Sequence, residues 1–168
     1  MSKNTLYLAR SGIIAGLYVV LTLITFPVAS GFFQFRASEG LTLLPLVFPE
    51  AIVGVTVGCL ISNIITGCAF FDVLLGSLVT LVAALLTWAT GKIIRKQVMN
   101  IILGGVFPVI FNAVFLPLIW VLCYTADYVY GTLFFSLLIS QTLSVYIVGV
   151  PVVILSNRYK NTLNVKNK

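Results

Sequence analysis

VLLGSLVTLVAALLTWATG, residues 73–91, runs the length of a membrane crossing without one charged side chain. About 20 consecutive apolar residues span the hydrocarbon core of a bilayer as an α-helix, and a helix satisfies its backbone polar groups within one segment. Residues 11–26 repeat the pattern. Outward from these runs the chain keeps the same character: 60% of its residues are hydrophobic and 8% are charged, where a soluble domain carries roughly 25% charged residues. This is the composition of an integral membrane protein. No Pro/Gly/Ser-rich linker or charge block sets off a soluble part, so residues 1–168 read as a single membrane domain.

The net charge of +6 raises nucleic acid as a partner, but the positions of the basic residues exclude it. Lys3 and Arg10 precede the first apolar run, Lys92, Arg95 and Lys96 follow Gly91, and Arg158, Lys160, Lys166 and Lys168 follow the last run. Clusters flanking apolar segments are topology signals, and cytoplasmic loops carry them. If all three clusters face the cytoplasm, an even number of spans lies between each pair. Residues 97–157 then hold two spans, 98–123 and 132–156, joined outside by the hairpin 124–131. The earlier part holds four, at 8–28, 39–48, 50–67 and 73–91, with Pro45 and Pro49 marking the inner turn between the second and third. The predicted fold is an all-α polytopic membrane protein with six transmembrane helices and cytoplasmic N and C termini. Its second span is too short to cross alone at 1.5 Å per residue, which implies tilting, extension into the preceding loop or shielding by neighbours.

The N-terminus resembles a signal peptide, yet its apolar run is longer than a typical signal core, so the reading is an uncleaved first helix. Cys59, Cys68 and Cys123 have no metal-ligand spacing, and the chain has no histidine. Ser-His catalysis and a zinc site are thereby excluded, and Asp72 and Asp127 fall at predicted helix ends, where an intramembrane aspartyl protease would need them mid-membrane. Neither catalysis, a metal nor a cofactor is expected. Gly91-Lys92 lacks the glycine at 86 and the hydroxyl at 93 that a phosphate-binding loop needs, since Leu86 and Ile93 stand there. A small six-span unit with no motor of its own reads as a subunit.

Within this apolar chain QFRASE, residues 34–39, places Arg36 and Glu39 three residues apart. A charge at the bilayer centre costs about 2.5 to 3.5 kcal/mol on insertion scales, so the pair marks either a binding site or an interfacial ion pair closing the first outer loop. Ser11/Ala15 and Gly12/Gly16 form two small-x-x-x-small pairs on the first helix, which permit close helix approach either inside the chain or against a partner.

FRASEGLTLLP (35–45), GCLISN (58–63), DVLLGSLVTLVAALLTW (72–88), PVIFNAV (108–114) and SVYIVGVP (144–151) occur in order along most of the chain. Together they resemble the QueT family, substrate-binding S components of energy-coupling factor (ECF) transporters that import precursors of the tRNA nucleoside queuosine. The resemblance implies a multi-pass protein of a prokaryotic cell membrane with six helices and a vitamin-uptake type of role. It also implies a 7-deazaguanine-type ligand captured at the outer face, and as partners a transmembrane coupling subunit and two cytoplasmic ATPases. In that family a small-residue face on the first helix meets the coupling subunit, which assigns Ser11, Gly12, Ala15 and Gly16 to that contact. A self-sufficient homo-oligomeric transporter or channel, and a membrane scaffold with no small-molecule ligand, stand as the alternatives.

One carboxylate can accept both the ring N–H and the exocyclic amino group of a guanine-like edge, and Glu39 is the first choice. Arg36 either orients Glu39 or donates to a ligand carbonyl. Phe35, with Phe32 and Phe33 behind it, can stack on a flat heterocycle or face lipid. Asp72 either caps the fourth span or meets the ligand. Asn63 and Asn112 either bond neighbouring helices or reach the site, with Asn63 nearer its outer end. Trp120, Tyr124, Asp127 and Tyr128 cluster at the end of the fifth span, where an aromatic belt is the competing reading. Glu50 reads as a partner for a helix dipole. Ile119 and Gln141 stand where the family usually carries glutamates. Their absence implies a ligand whose side group needs no acidic partner, unlike a simple aminomethyl group.

Overall fold

The computed structural model describes residues 2–29, 34–124 and 129–166. In chain order they form α1 (Lys3–Ala29), a 3-10 helix (Ala37–Leu46), α2 (Ala51–Ile65), a π turn (Asp72–Gly76) leading into α3 (Ser77–Ile93), α4 (Gln97–Tyr124), and α5 (Tyr130–Leu143), which continues through a second π turn (Ser144–Val148) into α6 (Gly149–Lys166). No strand occurs among the described residues. The α5–π–α6 rod is the predicted sixth span, so six helical segments are present and the protein is all-helical and polytopic.

Four of these segments are long and apolar enough to cross a membrane by themselves: Asn4–Val28, Asp72–Ile93, Gln97–Cys123 and Tyr130–Lys160. The other two are short. α2 has 15 residues and is about 22 Å long at 1.5 Å per residue. The predicted second crossing is a ten-residue 3-10 helix, which at about 2.0 Å per residue reaches about 20 Å. Runs of 3-10 helix this long are uncommon because their hydrogen bonds are poorer. This one survives because Ser38 through Pro45 are all buried, and irregular backbone at membrane depth is tolerated where protein, not lipid, surrounds it. Pro45, expected in the inner turn, lies inside this helix; Pro49 alone occupies the turn.

The 3-10 helix runs through the middle of the bundle and packs on α1, α3, α6 and the second π turn. Its tightest approach is Gly40 against Gly149. A methyl group on Gly40 would lie 2.8 Å from Gly149 N, and one on Gly149 would lie 2.6 Å from Gly40 O, so both positions exclude a side chain. Leu43, Val47, Ile101, Val109, Val145 and Val153 close one apolar cluster around it, while Ile14, Tyr18, Leu41, Val55 and Ala84 close another on the α1–α2 side. Within α4, Pro108 has no N–H to bond Gly104 O four residues earlier. The Thr87 hydroxyl of α3 donates to that carbonyl at 2.9 Å instead, and the helix continues through its proline.

At the end of the bundle that carries the inner turns, Arg10 Nη1 pairs with Glu50 Oε1 at 2.8 Å. Ser11 Oγ donates to Glu50 O at 2.9 Å, and Lys160 Nζ donates to Val47 O at 2.9 Å. Glu50 stands at the N-cap position of α2 without a side-chain capping bond, so it is an ion-pair partner as well as a carboxylate at the end of the helix dipole. Members of all three basic clusters meet at this end, as charge parity requires. Around α1, Ser11 and Ala15 are buried, facing α2 where Gly54 and Gly58 let the backbones close in. Their assignment to a partner contact therefore fails on burial. A methyl group on Gly12 or Gly16 would touch nothing within 4 Å, so these two glycines are the small pair on the outer face.

Single cysteines at 34 and 94 in a Cys-free background test this topology. An impermeant thiol reagent added to intact cells should label position 34 and spare 94; labelling at 94 would break the six-crossing arrangement.

Candidate binding site

Glu39 is 3% exposed, deep among helices, and both its carboxylate oxygens are met by donors. Tyr18 of α1 donates its hydroxyl to Oε1 at 2.5 Å, at the short end of O–H···O hydrogen bonds. Asn112 of α4 donates Nδ2–H to Oε2 at 3.1 Å. The backbone holds the residue from below: Glu39 N–H donates to Arg36 O at 3.1 Å, and Thr42 Oγ1 donates to Glu39 O at 2.5 Å. Beside it, Thr22 Oγ1 and Ser38 Oγ share a hydrogen bond of 2.8 Å.

Arg36 does not clasp Glu39. Its Nη1 donates to Asn63 Oδ1 at 3.2 Å, so the interfacial Arg–Glu pair weighed from the sequence is replaced by an arginine–amide contact. Asn63 in turn donates to Asp72 O at 3.3 Å and makes a longer contact to Cys59 Sγ at 3.6 Å. Asp72 is the acidic residue in the first turn of the π segment. Its Oδ1 accepts from Trp120 Nε1 at 2.8 Å, which gives Asp72 a partner on α4 and takes the Trp120 indole N–H out of a lipid-facing belt. π turns widen a helix locally and recur at functional positions; this one carries Asp72 across to α4.

The structure thus joins Glu39, Arg36, Asn63, Asp72, Asn112 and Trp120 in two linked groups, Tyr18–Glu39–Asn112 and Arg36–Asn63–Asp72–Trp120, connected through the Arg36–Glu39 backbone. Phe35 is half-buried next to Arg36. Gln141 of α5 is 2% exposed and its Oε1 is buried without a partner, but no contact ties it to either group. Ile119 is buried and lines the apolar groove between α3 and α4 with Leu, Val and Phe side chains and Cys123, where a glutamate would have met no charged partner. Phe32, Phe33, Asp127, Tyr128 and the Tyr124 side chain lie outside the described residues.

Tyr18 is the site member that the sequence reading missed, and Asn112, ranked below Asn63, proves to be the one that touches Glu39. A signal was present in Ser11, Tyr18, Thr22 and Thr25, which recur at helical spacing along one face of α1. Each bonds the segment from Ala37 to Glu50 or a residue beside it. Polar residues in register on an apolar helix mark the stripe that faces protein.

Crossing helices wrapped around a buried carboxylate that meets one donor on each oxygen, with an arginine and amides at its side, define a small multi-pass membrane protein with a polar interior. The sequence matches the QueT transporter family over residues 8–158, and the chain belongs to that family, in the cell membrane. It is 38% identical over 85 residues to a queuosine precursor transporter QueT of Lactococcus lactis subsp. cremoris (strain MG1363), an alignment that covers 49% of this chain and 50% of that relative. The chain thus spans about half the length of the curated relative it matches. No solved structure matches.

Removing a donor from Glu39 leaves part of a buried charge unmet. Tyr18→Phe should lower stability by about 1.5 to 3 kcal/mol, the range for a hydrogen bond to a charged group, read as a drop in melting temperature of the detergent-purified protein. Unchanged melting would mean that the phenol does not hold the carboxylate.

Proposed function

We propose that this chain is the substrate-capture subunit of an ECF-type importer and that it binds a 7-deazaguanine derivative, a queuosine precursor, at the Glu39 constellation. The observation that carries the proposal is the state of the Glu39 carboxylate. A carboxylate offers about four acceptor sites. Tyr18 and Asn112 take one on each oxygen, which leaves one on each for a ring N–H and the adjacent exocyclic amino group of a guanine-like edge. The two fixed donors also hold the carboxylate in one orientation before ligand arrives, which cuts the ordering cost of binding.

Arg36 spends one N–H on Asn63 and has further donors for a ligand carbonyl, in the fork geometry that suits planar acceptors. Phe35 supplies an aromatic face at the same turn. Asp72 is held by Trp120 and takes the outer edge of the site, and the buried amide of Gln141 offers neutral chemistry where a family glutamate would offer charge. With Gln141 in place of one family acid, the preferred ligand carries a neutral or bulkier side group instead of a bare aminomethyl cation, whose burial without a partner is costly; Ile119 faces the α3–α4 groove and takes no part in this preference.

The chain supplies no nucleotide-binding loop of its own, and the outward Gly12/Gly16 pair on α1 suits close packing against a helix of a coupling subunit driven by two cytoplasmic ATPases. α1 also contacts the site through Tyr18 and Thr22, so a ligand-dependent shift of the 3-10 helix would reach the outer face of α1 directly.

Glu39→Gln keeps the shape and turns one acceptor into a donor. Affinity for a 7-deazaguanine ligand, measured by calorimetry on the purified protein, should fall more than tenfold, the equivalent of about 1.5 to 3 kcal/mol, and competition should favour the nitrile analogue over the aminomethyl one. Wild-type affinity in a folded Glu39→Gln protein would remove Glu39 from the site.

Gly16→Leu separates capture from energy coupling. Because nothing in the chain opposes a side chain at that position, binding by the isolated subunit should persist while ATP-dependent uptake by the reconstituted complex falls severalfold. Undiminished uptake would exclude this face as the coupling contact.

A further inference from the structure

We propose that the inner end of α4 and α6 holds an anionic phospholipid of the cytoplasmic leaflet, with its headgroup in a polar cleft and an acyl chain in the groove that adjoins it. The cleft, about 370 Å³, lies under the turn between α3 and α4 and is bounded by Gly91, Arg95, Gln97, Asn100 and Asn157. The groove, about 510 Å³, runs up between α4 and α6 along Val98, Ile102, Tyr146, Val150 and Ile154, with Arg158 at its lower end. Gln97, Ile101 and Asn157 line both spaces, so the two are one amphipathic site with a polar foot and an apolar shaft.

Three observations select the occupant. The first is charge: Arg95 and Arg158 face the site and no aspartate or glutamate lines it, while the phosphate would also lie near the first turn of α4, whose dipole favours an anion. The second is a missing donor. Asn100 Oδ1 is buried without a hydrogen-bond partner, and a bare phosphate diester has no hydrogen to give it, whereas the hydroxyls of a glycerol headgroup do. The third is the shaft. Tyr146 lies flat on Gly105, where a methyl group would come within 2.7 Å of the ring, and its hydroxyl is taken by Ile102 O at 2.7 Å. The wall is therefore smooth and apolar, and its exposed members Val98, Ile102 and Ile154 suit a hydrocarbon chain and give a soluble anion nothing. Basic clefts between transmembrane helices on the cytoplasmic side are where acidic headgroups bind. Phosphatidylglycerol answers all three demands.

The site shares no lining residue with the Glu39 constellation, and its test does not depend on any substrate. The full chain, purified in a neutral detergent, is titrated with phosphatidylglycerol, with phosphatidylcholine of the same chains and with glycerol 3-phosphate, and bound species are counted by native mass spectrometry. Phosphatidylglycerol should bind about tenfold more tightly than phosphatidylcholine. Arg95→Gln and Arg158→Gln should each remove most of that preference, and Ile102→Trp, at an exposed position, should weaken both lipids by filling the shaft. Equal binding of the two lipids, a preference that survives both arginine substitutions, or saturable binding of glycerol 3-phosphate with no lipid retained would each overturn the proposal.

Discussion

A carboxylate surrounded by apolar helices persists only where donors meet it, and the bundle is arranged around meeting this one. Glu39 sits on a segment too short and too irregular to face lipid. That segment must be enclosed, and its enclosure determines which residues of α1, α3, α4 and α6 turn inward. Tyr18 and Asn112 come from helices far apart in sequence, so the carboxylate is ligated only when α1, the 3-10 helix and α4 are all in place. Loss of any one leaves a buried charge partly unmet, a penalty larger than the worth of the bond itself.

Enclosing the 3-10 helix makes its own demands. Its backbone approaches α6 within van der Waals contact at Gly40 and Gly149, and α1 approaches α2 where Gly54 and Gly58 leave room for Ile14 and Tyr18. Membrane helices gain little from burying apolar surface against one another, since lipid is as apolar as leucine, and depend on such close packing and on polar contacts. The polar contacts here are local repairs of backbone: Thr87 serves the carbonyl freed by Pro108, and Lys160 serves Val47 O at the inner turn. The same economy leaves Gly12 and Gly16 on the outside with nothing within 4 Å of an added methyl group.

The inner end is organised separately from the site. Arg10 and Lys160 approach Phe48 at 5.6 and 5.8 Å from its ring centre, and the Arg10–Glu50 pair fastens the start of α1 to the start of α2. Two clasps, one at Glu39 and one at Glu50, bracket the 3-10 helix from its two ends. Motion of that helix relative to α1 would have to release at least one of them.

How much was legible beforehand follows from which forces act locally. Hydrophobic run length and the clustering of nine lysines and arginines are properties of the chain alone, and they determined an all-helical membrane protein, the count of helical segments and the short second one. The rarity of charge in such a chain singled out Arg36, Glu39 and Asp72, because an ion in hydrocarbon needs a reason wherever it sits. Partners were a different matter. Whether Arg36 faces Glu39 or Asn63, whether Asp72 caps its helix or receives Trp120, and whether Ser11 and Ala15 look inward all depend on the rotation of each helix about its axis. Outside the polar stripe of α1, where nearly every face is apolar, periodicity carries almost no information about that rotation. It is decided by packing: by which glycines admit a neighbour, by the two π turns, and by a 3-10 segment whose geometry only its buried surroundings stabilise.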